Sequence, residues 1–153
     1  MLALLEQRTE RELEELRTLG RDAGSFEGMA EQFRAWHRER DRHLAGWLAL
    51  RTELWLYGLR NPSILPLLAE REARTRAAIA EALARDFTTR DTQPPAPVEL
   101  LALIVHALDD GLAIQRVLSP GGSPHDAAVD VVDLLLRSWT ALAREQSAEK
   151  GND

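Results

Sequence analysis

The sequence contains no cysteine, so neither a disulfide nor a thiolate metal site holds its fold. That absence fits a reducing cytoplasm, where the protein is expected to reside. No apolar run approaches the ~20 residues of a membrane-spanning helix, and the N-terminus lacks the basic-then-apolar order of a signal peptide. Lysine is nearly absent: Lys150 stands alone, and the rest of the basic character is arginine. Basic residues are also outnumbered, 19 against 25 acids, and the net charge of −6 argues against this chain gripping a nucleic-acid backbone. Period-two alternation of apolar and polar residues, the mark of a half-buried strand, is missing throughout.

What remains is helical. The 153 residues suit one domain of ordinary size. Leucines at 2, 5, 13, 16 and 19 predict an opening helix over Met1–Leu19, with no capping residue before it. A second helix is predicted from Phe26 to about Arg42, with Phe26, Met29, Ala30, Phe33 and Trp36 or His37 on one face; Glu31, Arg34, Arg38, Glu39 and Arg40 read as its solvated side. A third runs from His43 to Arg60 and stops at Asn61-Pro62, since a residue before proline disfavours helical angles. Its Gly46, Ala49, Leu56 and Tyr57 side, which also carries Glu53, is expected to permit close helix packing. The fourth spans Ser63–Phe87 and has a charged middle, EREARTR. Thr88–Pro97, stiffened by three prolines, reads as a linker. Two further helices follow, Leu100–Pro120 and Asp126–Arg144, joined by a tight polar turn and expected to pack as an antiparallel pair. The class is therefore all-α with about six helices, one domain over 1–146 and a disordered tail over 147–153.

Leu100–Pro120 is the stretch around which the chain is organised. Apolar residues occupy nearly every side of it, and a helix that is apolar all round must be covered all round. One side can face the chain's own core; the other calls for a second copy. His106, Asp109 and Asp110 interrupt it, and charged groups are rarely buried without partners. Asp109 and Asp110 cannot point to one place on a helix, so they do not form a paired-carboxylate catalyst. His106 and Asp110 share a face four residues apart; a histidine held by its neighbouring carboxylate is the simpler reading, beside a metal or acid–base pair. Arg51 lies between Trp47 and Trp55 on an apolar side, where it calls for Asp109 or Asp110, an acidic ligand or an exit to water. No histidine spacing matches a metal site, and no serine or glycine stretch matches a nucleophile elbow or phosphate loop. No enzyme, cofactor or metal is nominated.

The opening LALLEQR, then ELWLYGLRNPSILPLLAEREARTRAAIAEAL, LLALIVHALDDGLAIQRVLSP and LLLRSWTAL together resemble the C-terminal domain of TetR-family transcriptional regulators, over about residues 2–143. The resemblance implies a six-helix domain with a small-molecule cavity among its middle helices and a four-helix bundle formed by the last two helices of each copy. It implies a homodimer and a regulatory role in a repressor. DNA would be read only through a helix-turn-helix that should precede Leu2 and is expected to be missing, by truncation, from this chain. A mainly apolar effector is then expected against Phe33, Trp36, Trp47, Arg51, Trp55, Ile104 and His106, with Arg51 and His106 as polar anchors. Gly111, Ile114, Val131, Leu135 and Trp139 are the expected dimer contacts. The rival reading is a helical homodimeric protein-interaction module with a filled core and no small-molecule ligand.

Overall fold

The computed structural model describes residues 26–119, Gly121, residues 127–150 and six positions before them (Gln7, Glu10, Arg11, Glu14, Glu15 and Thr18), all six helical. The predicted opening helix lies otherwise outside the described residues. Among the described residues five helices follow: α1 (Phe26–Asp41), α2 (Leu44–Arg60), α3 (Leu65–Thr89), α4 (Val98–Leu118) and α5 (Ala127–Lys150), with a 3₁₀ turn at Pro62–Ile64. Among the described residues there is no strand, and no helix is long and apolar enough to cross a membrane. The class is all-α, as the periodicity predicts.

The helix ends follow local chemistry. Asn61 closes α2, its backbone N–H reaching the Tyr57 and Gly58 carbonyls while its side-chain amide also donates to Tyr57. Pro66 sits in the first turn of α3, where a missing N–H costs nothing. The far end of α3 is finished by Asp91 at φ 49°, with the Thr92 N–H bonded to the Phe87 carbonyl and the Asp91 N–H to Thr88. This is the left-handed cap usually given to glycine, here taken by an aspartate. At the C-terminus α5 runs past Arg144 to Lys150, so residues 147–150 are helical rather than a disordered tail. They are apolar-poor but rich in good helix formers, and propensity extends the helix where burial does not.

Two apolar cores result among the described residues. The larger joins α3, α4 and α5 through Leu83, Phe87, Leu101, Ala102, Val105, Leu136 and Trp139. The smaller joins α2 to the start of α3 through Trp47, Leu54 and Leu68, with Leu50, Trp55 and Ile64 packed on it. Close approach of α2 to α3 occurs at Gly58, where an added Cβ would stand 2.6 Å from Leu68 Cδ1. Gly46, expected at such a contact, faces nothing within 4 Å.

Helix α4 is covered on one side only. Leu101, Ala102, Val105 and His106 are buried, while Leu100, Leu103, Leu108, Val117 and Leu118 are exposed, Leu118 by 71%. On α5, Leu134 (64%) and Leu142 are likewise exposed. Trp139, expected at a subunit contact, is instead buried in its own chain's larger core, and Leu135 packs on that core as well. The periodicity of α5 shows more than one apolar face without saying which faces inward; the large apolar side chains left exposed on this helix are Leu134 and Leu142.

Candidate functional site

Consecutive residues on a helix point about 100° apart, so Asp109 and Asp110 on α4 serve different neighbours. Asp109 takes Arg40 of α1 in a two-pronged pair, Nη1 to Oδ2 and Nη2 to Oδ1, each 2.7 Å. Asp110 takes Arg51 of α2 in the same manner, with Nη2 2.7 Å from Oδ2. Forked arginine–carboxylate pairs of this kind fix orientation as well as distance. Two adjacent carboxylates thus fasten two preceding helices to α4.

Each pair has its own surroundings. Arg40 lies 4.9 Å over the Trp36 ring and 3.2 Å from His37 Nδ1; Trp36 in turn donates its indole N–H to Glu15 at 2.9 Å. Burial by itself pushes the Asp109 carboxyl up, but the charge and hydrogen bonds of Arg40, aided by His37 and His106, more than offset it and hold the group below its ordinary value. Arg51 lies 4.6 Å over Trp55 and also donates to Glu72 Oε2 of α3 at 3.1 Å. His106 Nε2 stands 3.4 Å from that same Glu72 oxygen and 3.8 Å from Asp110 Oδ2. A third guanidinium, Arg71, covers Trp47 at 5.1 Å. Three of the four tryptophans therefore carry an arginine on one face, a contact that holds the ring and screens the cation.

Of the predicted pocket residues, Arg51, Trp55 and His106 come together at this network, and Trp36 belongs to the neighbouring Arg40 pair. Trp47 and Ile104 lie in or against the two cores. The side chain of Phe33 is outside the described residues. Arg40, read as part of a solvated face, turns inward with a side chain only 13% exposed, because it shares a helical stripe with Trp36 and the buried His37. Glu72 was hidden in the charged EREARTR stretch, where no periodic signal separates one inward acid from its solvated neighbours.

A separate open groove of about 680 Å³ lies between the end of α3, the following linker and α5, lined by Phe87, Thr92, Arg144 and Ser147 among others. It shares no residue with the Asp109–Asp110 network, and it contains none of the predicted pocket residues. The network, with its convergent charges and aromatic faces, is the stronger candidate site.

The family model for the C-terminal domain of BetI-type transcriptional repressors, a TetR-type domain, matches residues 26–141, from the first residue of α1 into α5. The chain belongs to that family. It is thus a regulatory domain of the repressor type, and the resemblance drawn from the sequence stands. No curated protein and no solved structure matches the chain. In this repressor domain the matched segment takes in helices α1 to α4 whole and the greater part of α5.

Proposed function

We propose that this repressor domain senses a small, mainly apolar effector and dimerises through α4 and α5. The carrying observation is that α4 has two opposed roles. With Asp109 and Asp110 it holds Arg40 and Arg51; elsewhere it presents Leu100, Leu103, Leu108 and Leu118, exposed like Leu134 and Leu142 of α5. An exposed apolar surface spread over two adjacent helices suits a second copy. An effector lodged against Trp36, Trp55, Arg51 and His106 would bind one arrangement of α1, α2 and α4 better than another, and only such a difference in affinity can shift the arrangement. Gly111 and Ile114 lie on the same outward stretch of α4 and accompany the dimer contact.

Sedimentation of the chain at micromolar concentration tests the dimer: a dimer is expected, and Leu103→Glu with Leu134→Glu should yield folded monomers. A thermal-shift screen of small apolar molecules, with and without an acidic group, tests the sensor, because a ligand raises the melting temperature by mass action. Trp47 and Ile104 already fill core positions, which favours the rival reading of an interaction module. A stable dimer that responds to no compound in the screen would select that rival; a monomer at these concentrations would remove both.

A further inference from the structure

We propose that Glu72, His106 and Asp110 form a binding site for a divalent first-row transition cation, and that Arg51 is the stand-in that holds the site in its absence. The three side chains come from α3 and α4, and their ligand atoms lie within 4.8 Å of one another. His106 Nε2 is 3.4 Å from Glu72 Oε2 and 3.8 Å from Asp110 Oδ2. Bonds of about 2.0–2.1 Å in tetrahedral array separate neighbouring ligand atoms by ~3.4 Å. The histidine–glutamate edge therefore already has the right length, and small rotations of the carboxylates close the others. One imidazole with two carboxylates suits Zn²⁺ and its neighbours in the first transition row better than Ca²⁺ or Mg²⁺, which favour oxygen alone.

Arg51 shows where the ion would sit. Its Nη2 bonds the same two oxygens that face His106, Asp110 Oδ2 at 2.7 Å and Glu72 Oε2 at 3.1 Å. A positive group is thus already drawn into the space between them. The match is incomplete: one charge answers two carboxylates, and the buried Arg51 Nε has no hydrogen-bond partner among the described residues. A divalent ion would supply the second charge and take the imidazole lone pair. Arg51 would keep its place over Trp55 or turn to water. The Glu72 and Asp110 side chains are 22% and 23% exposed, which leaves an entry path and room for water to complete the coordination. The proposal goes beyond the regulatory reading and stands whether or not the domain senses an organic effector.

The test uses the full chain, stripped by chelator and titrated with Zn²⁺ by calorimetry, with thermal unfolding followed in parallel. One ion per chain is expected, with a melting temperature that climbs with Zn²⁺ and an affinity at least tenfold weaker in Glu72→Gln and in His106→Gln. Arg51→Ala separates a metal site from a plain ion-pair cluster. Without metal it should melt below the parent chain; with Zn²⁺ it should recover and bind the ion at least as tightly. Equal uptake by the parent and His106→Gln would assign the ion to another histidine and overturn the proposal. So would the absence of uptake by both the parent and Arg51→Ala at millimolar Zn²⁺. Should either glutamine variant fail to fold, recovery or non-recovery of Arg51→Ala decides the matter.

Discussion

The first half of α4 packs Leu101, Ala102 and Val105 against Phe87, Leu136 and Trp139, whereas its second half offers Asp109 and Asp110 to two arginines. The two halves hold their neighbours by different physics. Apolar burial is non-directional and grows with area, so the first half fixes that the helices meet but only loosely how they are turned. Forked ion pairs are directional and partly wet, so the second half adds little net stability and much orientation. A regulatory domain has use for both: a part that stays put, and a part whose arrangement can change.

Substitutions that press on this contrast should differ in size. The largest effect is expected from Phe87→Ala, which empties a fully buried ring position and should lower unfolding stability by about 3–5 kcal/mol in denaturant titration. Removing one partner of the charged half comes next: Asp109→Ala takes the carboxylate away from the largely buried Arg40 guanidinium and should cost about 3 kcal/mol. Replacing both partners, Arg40→Met with Asp109→Leu, should restore most of that loss. If the double variant were as unstable as the single, the view of the pair as orienting rather than stabilising would fail.

Acid provides a gentler probe. Because the folded Asp109 ionises below its ordinary value of 3.8, its contribution is fully present above that pH and fades as the pH falls through the lowered folded value. Stability curves of the parent and of Asp109→Asn should therefore converge on acidification below about pH 4. The smallest effect is expected where α2 is open: Gly46→Ala should stabilise by about 0.5–1 kcal/mol, since alanine suits a helix better and meets nothing. Gly58→Ala should do the opposite, because its Cβ would press on Leu68.

Much of the apolar half was legible in the sequence, since repeating leucines on α3, α4 and α5 state a period and a period states a face. The charged half was legible in one direction only. Arg51, misplaced on an oily side, announced a need for an acid, and Asp109 or Asp110 was the natural answer; Asp110 is the one used. Arg40 and Glu72 gave no such sign, because an inward charge surrounded in sequence by outward charges leaves the pattern unchanged. Trp139 erred in the other direction: a helix apolar on several sides does not reveal which side its own chain claims. The cap at Asp91 was equally silent, a left-handed turn carried by a residue other than glycine.

Adjacent carboxylates on α4 also govern how motion travels. They behave like neighbouring teeth on one shaft, meshed with different wheels. If α4 rolled about its axis, both arginines would slip together, so α1 and α2 cannot be released one at a time by that movement. A push felt at either tryptophan-backed arginine would reach the same short stretch of backbone, two consecutive residues of one rod.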